Sequence, residues 1–180
     1  QVGGTVATNA SGARSFKYGA TREYVNALEI VLADGDRLRT TRGEIISSAG
    51  GPVVLKTKSG RTIEVMVPTY VRPRVRKNVS GFFNSRPLDA IDLFIGSEGT
   101  LGVITEIELK LMRKPEGFFS GIVFFERNGD LLAFVDEVKQ RSFESRSDEN
   151  NPVATAPGSD LDAVLVEYFD DRALEFISKK

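Results

Sequence analysis

The sequence contains no cysteine and no histidine. Without cysteine, disulfides and thiolate metal sites are excluded. Without histidine, the commonest general base and metal ligand is missing. No apolar run approaches the ~20 residues a membrane-spanning helix needs, and no signal-peptide pattern opens the chain. Net charge is −1, so bulk charge points to neither nucleic acid nor a membrane. What is present is 180 residues with 41% hydrophobic content, enough for one cored domain or one plus part of another. A soluble, cytoplasmic protein is the default, with peripheral attachment to the inner face of a membrane also compatible.

Charge is unevenly spread. Lys56, Lys58, Arg61, Arg72, Arg74, Arg76, Lys77 and Arg86 face Glu64 alone between positions 56 and 86. This stretch reads either as an anion-facing surface or as a solvated loop. An RNA-binding role is disfavoured because only Tyr70, Phe82 and Phe83 lie near it.

Alternation predicts a strand over 27–33, with Leu28, Ile30 and Leu32 on one face. Asp34-Gly35 then signals a hairpin. A second hairpin is expected in Pro52–Pro68, turning at Ser59-Gly60. "SRPLDAIDLFI" suits a short helix with Ser85 as cap and Pro87 in its first turn. "GVITEIELKLM" predicts a half-buried strand, with Val103, Thr105, Ile107, Leu109 and Leu111 on one face. After Pro115 the pattern becomes a strand at 118–125, a helix from Asn128 carrying Leu131, Phe134, Val135 and Val138, and a polar mobile loop over Ser142–Asp160. A strand at 161–169 and the start of a helix at 170–180 follow. A domain boundary is therefore expected at Pro115, giving domains 1–115 and 116–180. The fold class is α+β, mostly antiparallel sheet with flanking helices, followed by the start of an α/β unit.

Two stretches of small residues stand apart: "GGTVATNASG" (Gly3–Gly12) and "GSEGTLG" (Gly96–Gly102). Glycine permits φ > 0 and close approach of a ligand to the backbone. Consecutive free N–H groups make an anion-binding concavity. Each stretch thus reads as a phosphate cradle or as a tight turn. Neither is a Walker loop, because no lysine follows Gly102, and neither has the strand–GxGxxG–helix setting of a Rossmann site.

Taken in order, "GGTVATNASGARSFKYGATREYVNALEIVLADG" and "DLFIGSEGTLGVITEIELKL" resemble the FAD-linked oxidases with a vanillyl-alcohol-oxidase (PCMH-type) FAD domain. The similar branch is that of D-lactate dehydrogenases, the glycolate oxidase flavin subunit and D-2-hydroxyglutarate dehydrogenases. "KNVSGF" (Lys77–Phe82) resembles the short stretch that precedes the second motif. The resemblance covers about Val2 to Pro115.

The resemblance implies FAD as cofactor, with Thr8, Asn9, Ala10, Ser11 and Gly12 as contacts, largely through backbone N–H groups, and Gly3 and Gly4 in the same wall. Gly12 would need φ > 0 and close approach. The second motif would run past the cofactor through Glu98, Gly99, Thr100, Leu101, Gly102, Val103 and Ile104, chiefly by the backbone of Val103 and Ile104. Glu98 reads equally as a structural hydrogen-bonding residue. The implied reaction is hydride transfer from a 2-hydroxy acid or related alcohol to flavin N5. The electron acceptor is open between oxygen, a quinone, a cytochrome and an iron–sulfur partner. No catalytic or metal-binding residue is identified in the chain. The resemblance further implies a fragment lying inside the FAD domain and ending early in the cap domain, inactive and colourless alone, with FAD bound by the full-length protein. The segment Glu44–Tyr70, with its extra hairpin, is longer than the usual connection. The competing class is a non-catalytic nucleotide- or phosphate-binding module on the same fold.

Overall fold

The computed structural model describes residues 1–48, 51–71, 73, 75, 78–114, 117, 119–144, 163, 165–170, 172 and 175. In chain order the elements are α1 (Val2–Ala7), α2 (Ser15–Tyr18), a 3₁₀ turn (Thr21–Tyr24), β1 (Val25–Val31), β2 (Arg37–Thr41), β3 (Val53–Lys56), β4 (Thr62–Val65), α3 (Ile91–Phe94), β5 (Val103–Leu109) and α4 (Asn128–Glu144). They divide into two units: Gln1–Ser11 with Ala20–Lys114, and Gly12–Gly19 with Pro115–Lys180.

In the first unit three antiparallel strands run in the order β2–β1–β5. The β1–β2 turn forms where Asp34-Gly35 predicts it: Gly35 takes φ +84°, a value costly for a side chain with a Cβ. Leu32 N–H donates to the Asp36 carbonyl at 2.8 Å to close the turn. The second hairpin, β3–β4, turns at Gly60 with φ +91°. It buries Val53 and Leu55 in the same core as Leu28, Ile30 and Leu38. Burying each such side chain stabilises by roughly 1.5–3 kcal/mol.

The hairpin's turn is tied to the β1–β2 turn. Lys58 N–H donates to the Arg37 carbonyl at 2.7 Å. Ser59 donates through both Oγ and N–H to the Asp36 carboxylate, and Arg61 pairs with Asp34. Hydrogen bonds from Ser59, then Thr57, hold the Asp36 carboxyl down at about 2.

In the first unit two expectations change. The helix expected from Ser85 is only Ile91–Phe94. Upstream, Leu88 N–H donates to Ser47 Oγ and Ala90 N–H to the Ile45 carbonyl, both at 2.8 Å, so these groups serve a bridge to residues 45–47 and not a helical turn. On β5 the apolar phase slips. Thr105 is an extra residue opposite the Glu29–Ile30 step, and such a bulge moves the following side chains to the other face. Ile104, Ile107 and Leu109 therefore pack on the core, whereas Val103 is 65% exposed and Leu111 lies exposed beyond the strand.

In the second unit α4 forms as its spacing predicts. Leu131 and Val135 are half-buried and Val138 buried, but Phe134 remains exposed; its ring meets Phe125 at 5.3 Å. Ser142–Glu144 belong to α4 and not to a loop; residues 145–160 of the expected loop lie outside the described residues. The described parts of 118–125 and 161–169 are not strands. A strand needs a pairing partner to satisfy its backbone, and none stands beside them among the described residues. Arg172 and Glu175 are helical; most of 170–180 lies outside the described residues, as do Arg72, Arg74, Arg76 and Lys77 of the basic stretch.

Candidate functional site

Glycine costs about 1 kcal/mol relative to alanine in a helix interior, so α1, with Gly3 and Gly4 in six residues, has little stability of its own. Tertiary bonds hold it. Val6 is fully buried. Gly96 N–H donates to the Val6 carbonyl at 3.1 Å, and Glu98 N–H to the Ala7 carbonyl at 2.9 Å. The two small-residue stretches, far apart in sequence, thus meet backbone to backbone within the first unit.

The end of α1 turns back through Asn9, which takes φ +46°. Thr8 N–H donates to Gly4 O, Asn9 N–H to Val6 O and Ala10 N–H to Thr5 O, at 2.9–3.0 Å. These three N–H groups are consumed inside the chain, so the expected row of free donors does not exist at Thr8–Ala10. Thr8 Oγ1 also donates to Gly4 O, at 2.9 Å. What Gly4, Thr8 and Ala10 offer is an exposed, uncharged, small-residue surface.

A Cβ added at Gly3, Gly4 or Gly12 would meet nothing within 4 Å. None of these three takes a positive φ, which corrects the expectation for Gly12. Gly12 opens the part of the chain that belongs to the second unit.

The second stretch is built differently. Gly96 has φ +82°, and an added Cβ would sit 3.0 Å from Asn9 Cβ. Glu98 holds φ +53°, rare for a residue with a side chain, and its carboxylate is exposed and makes no hydrogen bond among the described residues. Gly99 has φ +80° with open space around it. Gly102, at φ +148°, lies against β1: a Cβ there would be 2.5 Å from Ile30 Cγ2 and 2.8 Å from Val31 O. Thr100 donates through Oγ1 to Ser97 O at 2.6 Å, while Leu101 is exposed. Val103 and Ile104 then pair with Val31 and Ile30. Because β5 is at the edge of the described sheet, one side of its backbone has no strand partner there.

A set of charged residues below this wall was not legible as a site. Arg22 Nη1 donates to both the carbonyl and Oδ1 of Asp92 at 2.8 Å, and Nη2 to the Ile95 carbonyl. Its N–H donates to Asn9 Oδ1 at 3.0 Å, and its guanidinium lies 4.2 Å from the Phe83 ring centroid. Arg42 meets Asp92 Oδ2 from the other side at 2.7 Å. The one signal available was Asp92 itself, a charge inside "AIDLFI"; an ionised group among apolar neighbours implies a buried partner.

The geometry fits a ligand pressed close to an uncharged backbone wall. It does not fit a diphosphate caged by the N–H groups of Thr8–Ala10. An open groove of about 530 Å³ over Tyr70, Val71, Pro73, Val75 and Asn78–Gly81 contains none of the expected site residues.

Residues 1–41 match the family described as FAD binding domain. The chain is 35% identical over 136 residues to a D-lactate dehydrogenase of Anaerostipes hadrus, covering 76% of this chain and 21% of that protein. It is 37% identical over 115 residues to the glycolate oxidase subunit GlcD of Bacillus subtilis, covering 64% and 17%. It is 29% identical over 153 residues to a D-2-hydroxyglutarate dehydrogenase of Stutzerimonas stutzeri, covering 83% and 25%. The chain therefore spans about a fifth of the length of the curated relatives it matches. It carries FAD-binding-domain sequence over residues 1–41 and is related, over most of its length, to the D-lactate dehydrogenase, glycolate oxidase and D-2-hydroxyglutarate dehydrogenase branch that its two motifs resemble.

Proposed function

We propose that the protein containing this chain is an FAD-dependent oxidoreductase of 2-hydroxy acids, and that the chain supplies one wall of its cofactor site. The observation that carries the reading is the joining of the two small-residue stretches by Gly96 N–H to Val6 O and Glu98 N–H to Ala7 O. A flat or extended cofactor can lie on Gly3, Gly4, Thr8 and Ala10 at van der Waals distance because none of these four carries a side chain larger than threonine's. Ser11 extends the wall along the chain. Asn9 contributes by fixing the turn and not by touching the ligand, since it is buried. Gly99, Thr100 and Leu101 form the opposite rim, and the unpaired side of β5 offers the backbone N–H and C=O of whichever of Val103 and Ile104 is turned away from β1. Gly102 and Glu98 shape the rim through their backbone.

Held on this wall, FAD would supply the acceptor for the hydride on the carbon bearing the substrate hydroxyl. The hydroxyl proton goes to a base outside these residues. Domains divided near Pro115 and a substrate-binding cap complete the proposal.

The test uses the full-length protein. Flavin absorbance at stoichiometric level is expected after purification. Anaerobic addition of D-lactate, glycolate or D-2-hydroxyglutarate is expected to bleach it. A protein that takes up no FAD overturns the reading. A yellow protein that no 2-hydroxy acid bleaches identifies a nucleotide-binding module instead.

A further inference from the structure

We infer that Arg22 is a positioning residue that clamps the two halves of the cofactor wall into one surface. It rests on the proposed function for its cofactor half and on geometry alone for its clamp. Arg22 holds the first stretch at Asn9 and, at the same time, the chain immediately before the second stretch at Asp92 and Ile95. Its backbone N–H fixes Asn9, the left-handed turn that ends the first stretch, through Oδ1 at 3.0 Å. Its guanidinium fixes the chain entering the second stretch, through Asp92 and the Ile95 carbonyl, next to Gly96. Gly96 is where the stretches touch: a Cβ there would stand 3.0 Å from Asn9 Cβ and 3.6 Å from Arg22 Nη2.

The chemistry requires arginine. The planar fork lets one side chain bond the Asp92 carboxylate and two carbonyl oxygens while presenting its flat face to Phe83. A lysine ammonium keeps the charge opposite Asp92 but cannot span Asp92 and Ile95 together. The side chain is 13% exposed and Asp92's is 9% exposed, so water does not substitute easily for a lost bond. Arg42 is the natural control. It shares Asp92 and donates to the Arg22 carbonyl at 3.0 Å, but among the described residues it bonds neither small-residue stretch nor Ile95.

The experiment compares Arg22→Lys and Arg42→Gln in the full-length protein, by amide hydrogen exchange at Gly96 and Glu98 and by FAD affinity from titration of the apoprotein. Arg22→Lys is expected to speed exchange at both amides by about tenfold or more and to weaken FAD binding by about tenfold or more. Arg42→Gln is expected to move both by less than about threefold. Unchanged protection in Arg22→Lys overturns the clamp. Faster exchange with unchanged FAD affinity overturns its role in positioning the cofactor. Equal effects of the two variants overturn the assignment to Arg22 and reduce the cluster to a common structural support. If the wild-type protein itself takes up no FAD, the proposed function fails, and the exchange data alone decide the clamp.

Discussion

The two small-residue stretches look alike in sequence and owe their glycines to opposite causes. In Gly96–Gly102 the fold demands glycine, through φ of +82°, +80° and +148° and through contact with β1. In Gly3–Gly12 the fold demands nothing of the kind: Gly3, Gly4 and Gly12 have ordinary φ and empty space where a Cβ would go. Two of them even weaken a helix. A glycine that its own fold does not need is available to something outside the fold. This is why the first stretch, and not the more strained second one, is the stronger pointer to a ligand.

The comparison is sharpened most by Gly102→Ala. The added methyl meets Ile30 Cγ2 and a β1 carbonyl well inside contact distance, and a destabilisation of about 3 kcal/mol is expected in denaturant melts. A loss below about 0.5 kcal/mol, the range of ordinary surface changes, would break the claim that the fold requires this glycine. Gly99→Ala keeps the positive φ but has free space, so a loss of about 1–2 kcal/mol is expected from backbone strain alone.

Gly4→Ala should have the opposite sign. Helix propensity predicts a gain of about 0.5–1 kcal/mol in the apoprotein, together with weaker FAD binding, because the methyl stands on the proposed wall. Thermal melts of the apoprotein and FAD titration read the two effects separately. Stabilisation with undiminished FAD affinity would detach the first stretch from the ligand.

The smallest effect concerns a region outside both stretches. Asp36 titrates near 2, below its ordinary 3.8. A lowered pKa means that its contribution to holding the β3–β4 hairpin is complete above pH 3.8 and lost as pH falls through about 2. Ser59→Ala is expected to raise the Asp36 midpoint toward 3.8 in a carboxyl NMR titration, without altering protection at Gly96 or Glu98. Altered protection there would mean that the wall depends on the hairpin.

The turns were legible because their causes are local: Asp34-Gly35 and Ser59-Gly60 need only their own backbone angles. The existence of β5 was legible from alternation, but its phase was not. The bulge at Thr105 arises from pairing with β1, seventy-odd positions away in sequence. The helix start at Ser85 failed for a related reason, since Ser47 Oγ and the Ile45 carbonyl take the N–H groups of Leu88 and Ala90. At the site, composition located both stretches. It could not reveal that the N–H groups of Thr8–Ala10 are already used, nor that Arg22 and Asp92 lie together beneath them. Both facts depend on contacts that no short window of sequence contains.

The carbonyls at the end of α1 are capped by amides 90 and 91 positions later, at Gly96 and Glu98. A six-residue helix containing two glycines cannot persist alone in water, because isolated helices shorter than about 12–15 residues are marginal even with favourable composition. During synthesis, therefore, the α1 segment, which leaves the ribosome before the segment around Gly96, must wait for it before it acquires its shape. Closing so long a loop places this event late in folding, after the two hairpins, whose contacts are local. The contact between the two stretches thus forms late although α1 is made well before Gly96, and a nascent chain stopped before Gly96 would carry the whole first motif without its structure.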